Sequence, residues 1–144
     1  MTAKEYLSQV QEQKNKILEQ EEYIQRLIAT LDVAGIRYDK ERVQTSPDPD
    51  KMAHIFSKIF EQEEILEDMK KVFVDFRIKV IDMIHQIEND IFRKILNIVY
   101  IDGKNLKECA KDIGFSYDYV REMHIQALSA FDEKFPQQSG CNPH

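Results

Sequence analysis

Apolar side chains recur at alternating intervals of three and four residues through the middle of the chain, from Met52 to Ile87. Residues at these intervals share one face of an α-helix, so the pattern predicts one long helix with an apolar stripe. At 1.5 Å per residue this helix would be roughly 54 Å long, and it could not bury its stripe alone. We expect it to pack against another helix, a second copy of the chain, or both. The stripe consists of Met52, Ile55, Ile59, Gln62, Leu66, Met69, Phe73, Phe76, Val80, Met83 and Ile87.

A similar but weaker stripe precedes this segment, with charged residues at two of its positions. Its members are Leu7, Val10, Lys14, Ile17, Glu21, Ile24, Ile28 and Leu31. Between the two stripes, "GIRYDKERVQTSPDPDK" carries the Gly, Ser, Pro and Asp residues that favour turns. The sequence therefore predicts a coiled-coil-like antiparallel hairpin of two helices over residues 1–86, with its loop at 35–51.

The last third of the chain changes to short helices with recognisable ends. Asn89 or Asp90 is suited to cap a first helix, and Gly103 is suited to stop it. Asn105, with Glu108 three residues later, has the spacing of a capping box that opens a second short helix. We expect an all-α protein in which residues 87–135 form a separate domain and 136–144 a flexible tail.

The stretch "NLKECAKDIGFSYDYVREMHIQAL" has the spacing of a helix-turn-helix DNA-binding motif. Ala110 is small enough for two helices to touch, Gly114 suits a left-handed turn, and Val120 supplies a branched apolar residue on the second helix. Ser116 is placed to cap that helix. An ordinary pair of short helices with no nucleic-acid role would share part of this pattern and stays open as an alternative. The positions expected to point inward are Leu106, Cys109, Ala110, Ile113, Val120, Met123, Ala127 and Phe131.

Residues 89–131 resemble region 4 of bacterial sigma factors, whose helix-turn-helix binds promoter DNA. The whole chain, from "MTAKEYLSQV" through "RVQTSPDPDKMA" to "GFSYDYVREMHIQAL", resembles a family of small proteins from phages and integrative elements of Gram-positive bacteria. That family is similar to late-gene transcription regulators of the ArpU and RinA type. The resemblance implies a DNA-binding transcription regulator with a helical rod before its sigma region 4-like end.

The resemblance also implies which residues approach DNA. Lys107 and Lys111 on the first helix of the motif would lie near backbone phosphates. On the second helix, Arg121 could contact a guanine edge and Glu122 a cytosine amino group, while Tyr117 could meet a phosphate or a thymine methyl. Ordinary packing or a solvated face would also account for these side chains. The positions expected to face the groove are Ser116, Tyr117, Asp118, Arg121, Glu122 and Ile125.

The charge of the chain argues against strong DNA binding by an isolated domain. The formal net charge is -6, and residues 87–135 contain seven Lys or Arg against nine Asp or Glu. Because non-specific DNA affinity comes mainly from neutralised phosphates, an acidic domain should bind weakly alone. A homodimer would place two motifs on one duplex, or RNA polymerase could hold the domain near a promoter. A second hypothesis is a module that binds RNA polymerase or another host protein without contacting DNA, which an exposed Ile125 would favour.

Other classes of protein receive little support from the sequence. No apolar run approaches the roughly 18 residues of a membrane span, and "MTAKEYLSQVQEQ" lacks the apolar core of a signal peptide. Cys109 and Cys141 are poorly placed for a disulfide, so we expect a cytoplasmic protein. The histidines show no metal-site spacing and there is no glycine-rich phosphate loop. We therefore predict no catalysis, no metal and no cofactor.

Overall fold

The computed structural model describes residues 1–33, 35 and 49–136, and every regular element in this part of the chain is helical. The prediction of an all-α protein is confirmed. Most of the predicted loop, residues 36–48, and the predicted tail from residue 137 lie outside the described residues. The helices are α1 (Ala3–Val33), α2 (Pro49–His85), α3 (Asp90–Leu96), α4 (Leu106–Ile113) and α5 (Tyr117–Lys134), and α3 continues into a π-helical turn, Asn97–Ile101.

Contacts divide the chain into two compact units. The first contains residues 1–13 and 73–144, and the second contains residues 14–72. Each of the two long helices therefore contributes to both units. We call them the C-terminal unit and the helical unit.

In the helical unit, residues of the two predicted stripes pack on one another. Leu31, Met52 and Ile59 are buried in one cluster, against which Leu27, Ile28, Ile55 and Phe56 pack. Gln62, the polar position of the second stripe, accepts hydrogen bonds from Gln20 Nε2 at its backbone oxygen (3.1 Å) and at Oε1 (2.9 Å). The polar interruption of the stripe is thus satisfied by a polar partner on α1.

The larger core of the C-terminal unit combines four segments of the chain. Its central contacts include Tyr6, whose ring meets the Phe76 ring edge-on at a centroid distance of 5.4 Å. The Tyr6 and Phe131 rings are 6.1 Å apart. The Tyr6–Phe131 contact joins the two predicted domains, 1–86 and 87–135. The buried members are Ala3, Tyr6, Leu7, Val10, Val80, Met83, Ile84, Ile87, Leu96, Tyr100, Ile101, Ala127 and Phe131.

A smaller core joins α3, α4 and α5. Ile95, Cys109, Ala110 and Val120 are buried together, and the half-buried apolar residues around them are Ile91, Ile98, Val99, Leu106, Ile113 and Met123. The positions predicted to point inward are all buried or half-buried. They serve two cores, however, because Ala127 and Phe131 pack in the larger one. The smaller core holds α4 and α5 together and so positions the predicted DNA-binding motif.

Candidate nucleic-acid interface

The ends of α4 are set by local hydrogen bonds that the sequence predicts. Asn105 Oδ1 accepts from the Glu108 backbone N–H at 2.8 Å, and Glu108 Oε1 accepts from the Asn105 backbone N–H at 3.4 Å. These two bonds form the expected capping box. At the other end, Gly114 has φ +76° and its N–H donates to the Ala110 carbonyl. A left-handed conformation is one that glycine adopts without steric cost.

The second helix of the pair begins after a turn of three residues, Gly114 to Ser116. The Ser116 hydroxyl accepts from the Tyr119 backbone N–H at 3.3 Å, so Ser116 is the N-cap of α5, as predicted. Asp118 lies in the first turn, where a negative charge is favourable beside the positive end of the helix dipole. The local sequence thus determines where both helices start and where the chain turns between them.

All the residues predicted to approach DNA are exposed in the structure. Lys107 and Lys111 lie on α4, Ser116 is the cap of α5, and the rest lie in the first turns of α5. The opposite faces of both helices carry the buried residues of the smaller core. The exposed set is Lys107, Lys111, Ser116, Tyr117, Asp118, Arg121, Glu122 and Ile125.

The Arg121 side chain has weak interactions with two neighbours on α5. Its Nη2 atom is 4.0 Å from Asp118 Oδ1, and its guanidinium carbon lies 6.0 Å from the centre of the Tyr117 ring. Both residues of the ion pair are well exposed, and such pairs contribute little to stability. Arg121 can therefore exchange these contacts for a ligand at small cost.

The two lysines of α4 are available for an anionic ligand. Lys104, just before the helix, forms an ion pair of 2.7 Å with Asp112, and this partner raises the pKa of Lys104. In contrast, neither Lys107 nor Lys111 forms an ion pair with a carboxylate in the part of the chain that the structure describes.

Apolar and aromatic side chains are also exposed around the turn. Ile125 is 56% exposed, a large fraction for an isoleucine on a helix that is otherwise amphipathic. Phe115 and Tyr119 are 43% and 39% exposed, and their ring centroids are 4.9 Å apart. Neither Phe115 nor Tyr119 is among the residues predicted to approach DNA. An aromatic residue inside a tight turn was the one local signal that could have identified this exposed pair.

A cleft of about 610 Å³, which the sequence does not predict, lies beside the motif. Its polar lining residues come from α1, the π-helical turn, α4 and α5, all within the C-terminal unit. Its lining includes Lys107 and Tyr117, which are among the residues predicted to approach DNA. No local pattern indicates the cleft, because its walls are far apart in the chain. The polar side chains of its lining include Lys4, Ser8, Gln11, Lys107, Tyr117 and His124.

His124 lines the cleft and is the one buried polar residue found among the described residues. Its Nε2 atom shares a hydrogen bond of 2.7 Å with the Tyr100 hydroxyl, and the two rings stack at a centroid distance of 5.7 Å. Burial lowers the pKa of His124, and the positive charge of Lys4 lowers it further. Burial raises the pKa of Tyr100 to about 12. Both groups are therefore held neutral near pH 7.

Within the described residues, no cluster of three or more His, Cys, Asp or Glu side chains could hold a metal ion. No helix in the same part of the chain has both the length and the apolar character to cross a bilayer. The buried Cys109 thiol has a raised pKa, mainly because burial disfavours the thiolate.

Comparison with known protein families, curated proteins and solved structures found no match to this chain.

Proposed function

We propose that the protein is a DNA-binding transcription regulator of phage or mobile-element origin. In this proposal α4 and α5 form a sigma region 4-like helix-turn-helix, and α5 enters the major groove of promoter or operator DNA from its start at Ser116. Lys107 and Lys111 contact backbone phosphates. Arg121 and Glu122 face the base edges, and Tyr117 meets a phosphate or a thymine methyl.

One observation carries the proposal. Every position selected for DNA contact is exposed on α4 or at the start of α5, whereas Cys109, Ala110 and Val120 are buried on the opposite side. A helix can report base sequence only if its side chains are free to enter the groove while its other face is held by a scaffold. The exposed Arg121, with weak intramolecular partners, is the residue best suited to bind a guanine edge.

The proposal includes partners that offset the acidic charge. Stripe residues of α1 and α2 pack on one another, which supports an antiparallel hairpin, and Val72 on α2 is 62% exposed with Ile65 at 40%. These apolar side chains support a homodimer formed through the helical hairpin, with RNA polymerase as a further partner at the promoter. Light scattering of the purified protein would test for the dimer. A cytoplasmic location goes with this function.

A second candidate function is a protein-interaction module that binds RNA polymerase or another host protein without contacting DNA bases. Ile125, Phe115 and Tyr119 favour this function because exposed apolar and aromatic side chains are typical of protein contacts. The acidic Asp118 and Glu122 on the same helix would repel phosphates. The two functions differ in what they predict for Arg121 and Ile125.

Footprinting and gel-shift titration on DNA flanking the protein's own gene would test the proposal. The purified protein should protect a specific site, and Arg121→Ala should weaken binding by about 1–3 kcal/mol with relaxed preference at one base pair. Lys134→Ala provides a matched control, because it removes an exposed positive charge near the other end of α5. The control should bind like the wild type.

The alternative gives a different result in the same experiment. If the protein binds polymerase only, no native upstream sequence is protected even at low salt, and Arg121→Ala has no effect on DNA. Ile125→Lys should then abolish the protein contact, because it places a charge on an apolar contact surface. That combination would falsify autonomous DNA binding.

A further inference from the structure

The cleft beside α4 and α5 has the electrostatic character of an anion site. Lys4 and Lys107 contribute ammonium groups to it, and no Asp or Glu is among the side chains that line it. Neither lysine forms an ion pair with a carboxylate in residues 1–33, 35 and 49–136. In a chain with more acids than bases, a cleft lined by two lysines and no carboxylate is an unusual local environment. It is complementary to a negatively charged group.

The start of α1 supplies one wall of this cleft. Lys4, Ser8 and Gln11 are spaced four and three residues apart, so they lie on one face of the helix. That face is directed at the π-helical turn, because Gln11 Nε2 donates to the Tyr100 and Ile101 carbonyls at 3.3 and 3.0 Å. These carbonyls lie at a helix end, where backbone acceptors lack intrahelical partners. Gln11 satisfies them and holds the first turns of α1 in place.

Gly103 permits this close approach. A Cβ atom at residue 103 would lie 2.7 Å from Gln11 Oε1, and the residue has φ +77°. With no side chain there, Gln11 reaches the end of the π-helical turn. Ser8 and Lys4, about one and two turns before Gln11, are thereby held beside Lys107 and Tyr117.

We propose that this cleft is a phosphate-binding site in which Lys4 and Ser8 of α1 act with Lys107 and Tyr117. Two ammonium groups neutralise the anion, and the Ser8 and Tyr117 hydroxyls donate hydrogen bonds to its oxygens. We assign the bound phosphate to the DNA backbone, because Lys107 and Tyr117 also belong to the proposed DNA-binding surface. In this respect the inference rests on the proposed function. A cleft of this volume also admits a group of nucleotide size.

The site assigns a role in DNA binding to the N-terminal helix. Lys4 precedes the motif by about a hundred residues, yet it would contact the same phosphate as Lys107. Lys4 would add positive charge to a DNA-binding surface formed mainly by residues 87–135, which contain more acidic than basic residues.

A salt titration of DNA affinity tests the DNA source. The full-length protein and its Lys4→Gln variant would be titrated with one duplex between 50 and 200 mM salt. Loss of one phosphate contact should reduce the steepness of the plot of log K against log salt by about 0.9. The ratio between the DNA affinities at the lower and the higher salt concentration then becomes about threefold smaller. Lys16→Gln is the matched control, an exposed lysine on the same helix outside the cleft. It should keep the wild-type slope, and Lys4→Arg should restore it.

A second titration keeps this inference separable from the proposed function. Inorganic phosphate would be added to the ¹⁵N-labelled protein at constant ionic strength, with chloride as the reference anion. Saturable shifts at the Ser8, Lys107 and Tyr117 amides, absent in Lys4→Gln, support the site even if DNA does not bind, and they then assign it to a free phosphate compound. If phosphate causes no such shifts and Lys4→Gln matches Lys16→Gln on DNA, the site does not exist.

Discussion

At the scale of single residues, His124 shows how burial changes the chemistry of a side chain. Its imidazole is only 8% exposed and shares a hydrogen bond with Tyr100, while Lys4 lies close enough to lower its pKa. Protonation would place a positive charge on this buried imidazole, so the folded state loses stability relative to the unfolded chain at acidic pH. The stability of the C-terminal unit should therefore depend on pH.

The expected sign follows from the lowered pKa. In the unfolded chain His124 titrates near its ordinary value of about 6.5, so as pH falls the unfolded chain binds the proton first. The free energy of unfolding should therefore decrease as pH falls below about 6.5. The contribution of His124 to this decrease ends once the pH is below its pKa in the folded protein. Denaturant unfolding from pH 7.5 to 5 would measure this for the wild type and for His124→Gln. The free energy of unfolding should depend less on pH in His124→Gln than in the wild type. Equal pH dependence in the two proteins would mean that the imidazole is not buried in solution.

Lys4→Gln gives an independent check of the same geometry. Removing the positive charge should raise the pKa of His124, as measured by the imidazole proton shifts. Lys16→Gln should not change it. This comparison locates Lys4 beside His124 without any ligand.

At the scale of elements, the contact between α4 and α5 depends on one small residue. Ala110 is 5% exposed and packs with Ile95, Cys109 and Val120, so a larger side chain has no free space. Core sites of this kind tolerate changes in volume poorly, because interiors are packed about as densely as organic crystals.

Ala110→Leu should therefore lower the free energy of unfolding by about 1–3 kcal/mol. Ala29→Leu is the matched control, since Ala29 is an exposed position within α1 and leucine is nearly as favourable in a helix. Chemical denaturation of both variants measures the difference. Equal stabilities would mean that α4 and α5 do not pack through Ala110.

At the scale of the whole molecule, residues of the two long helices share a core with residues of the C-terminal helices. Tyr6, Leu7 and Val10 of α1 share a core with Ala127 and Phe131 of α5, and Val80, Met83 and Ile84 of α2 belong to the same cluster. The core of the C-terminal unit thus includes the start of α1 and the end of α2. Part of the packing around α5 therefore comes from residues before 87.

Leu7→Ala tests this dependence. Because Leu7 is fully buried in the larger core, the substitution should destabilise the C-terminal unit by about 2–5 kcal/mol and accelerate amide exchange in α5 around Phe131. Leu18→Ala, on the same helix but 49% exposed, should change neither quantity appreciably. Unchanged exchange in α5 after Leu7→Ala would support a boundary after residue 86 instead.

The sequence by itself determined the features that depend on neighbours within a few residues. Asn105 and Glu108 are three apart, as are Ser116 and the Tyr119 amide that it caps, and Gly114 is needed because of the backbone conformation at one position. The two stripes are likewise local periodicities, and their positions are buried or half-buried apart from Lys14. Such interactions can be predicted because helix geometry alone brings the partners together.

Only the tertiary structure decided which distant residues meet. Gln11 and Ile101 are 90 residues apart, and the Gly103 site that admits Gln11 appears in the sequence only as a helix stop. His124 meets Tyr100 from the π-helical turn and feels the charge of Lys4 from α1, and Lys4 lines one cleft together with Lys107. Spacing along the chain carries no information about such pairs, because their approach is set by how whole helices pack. The position of the first turns of α1 beside the motif was therefore decided by the packed core, not by any local pattern.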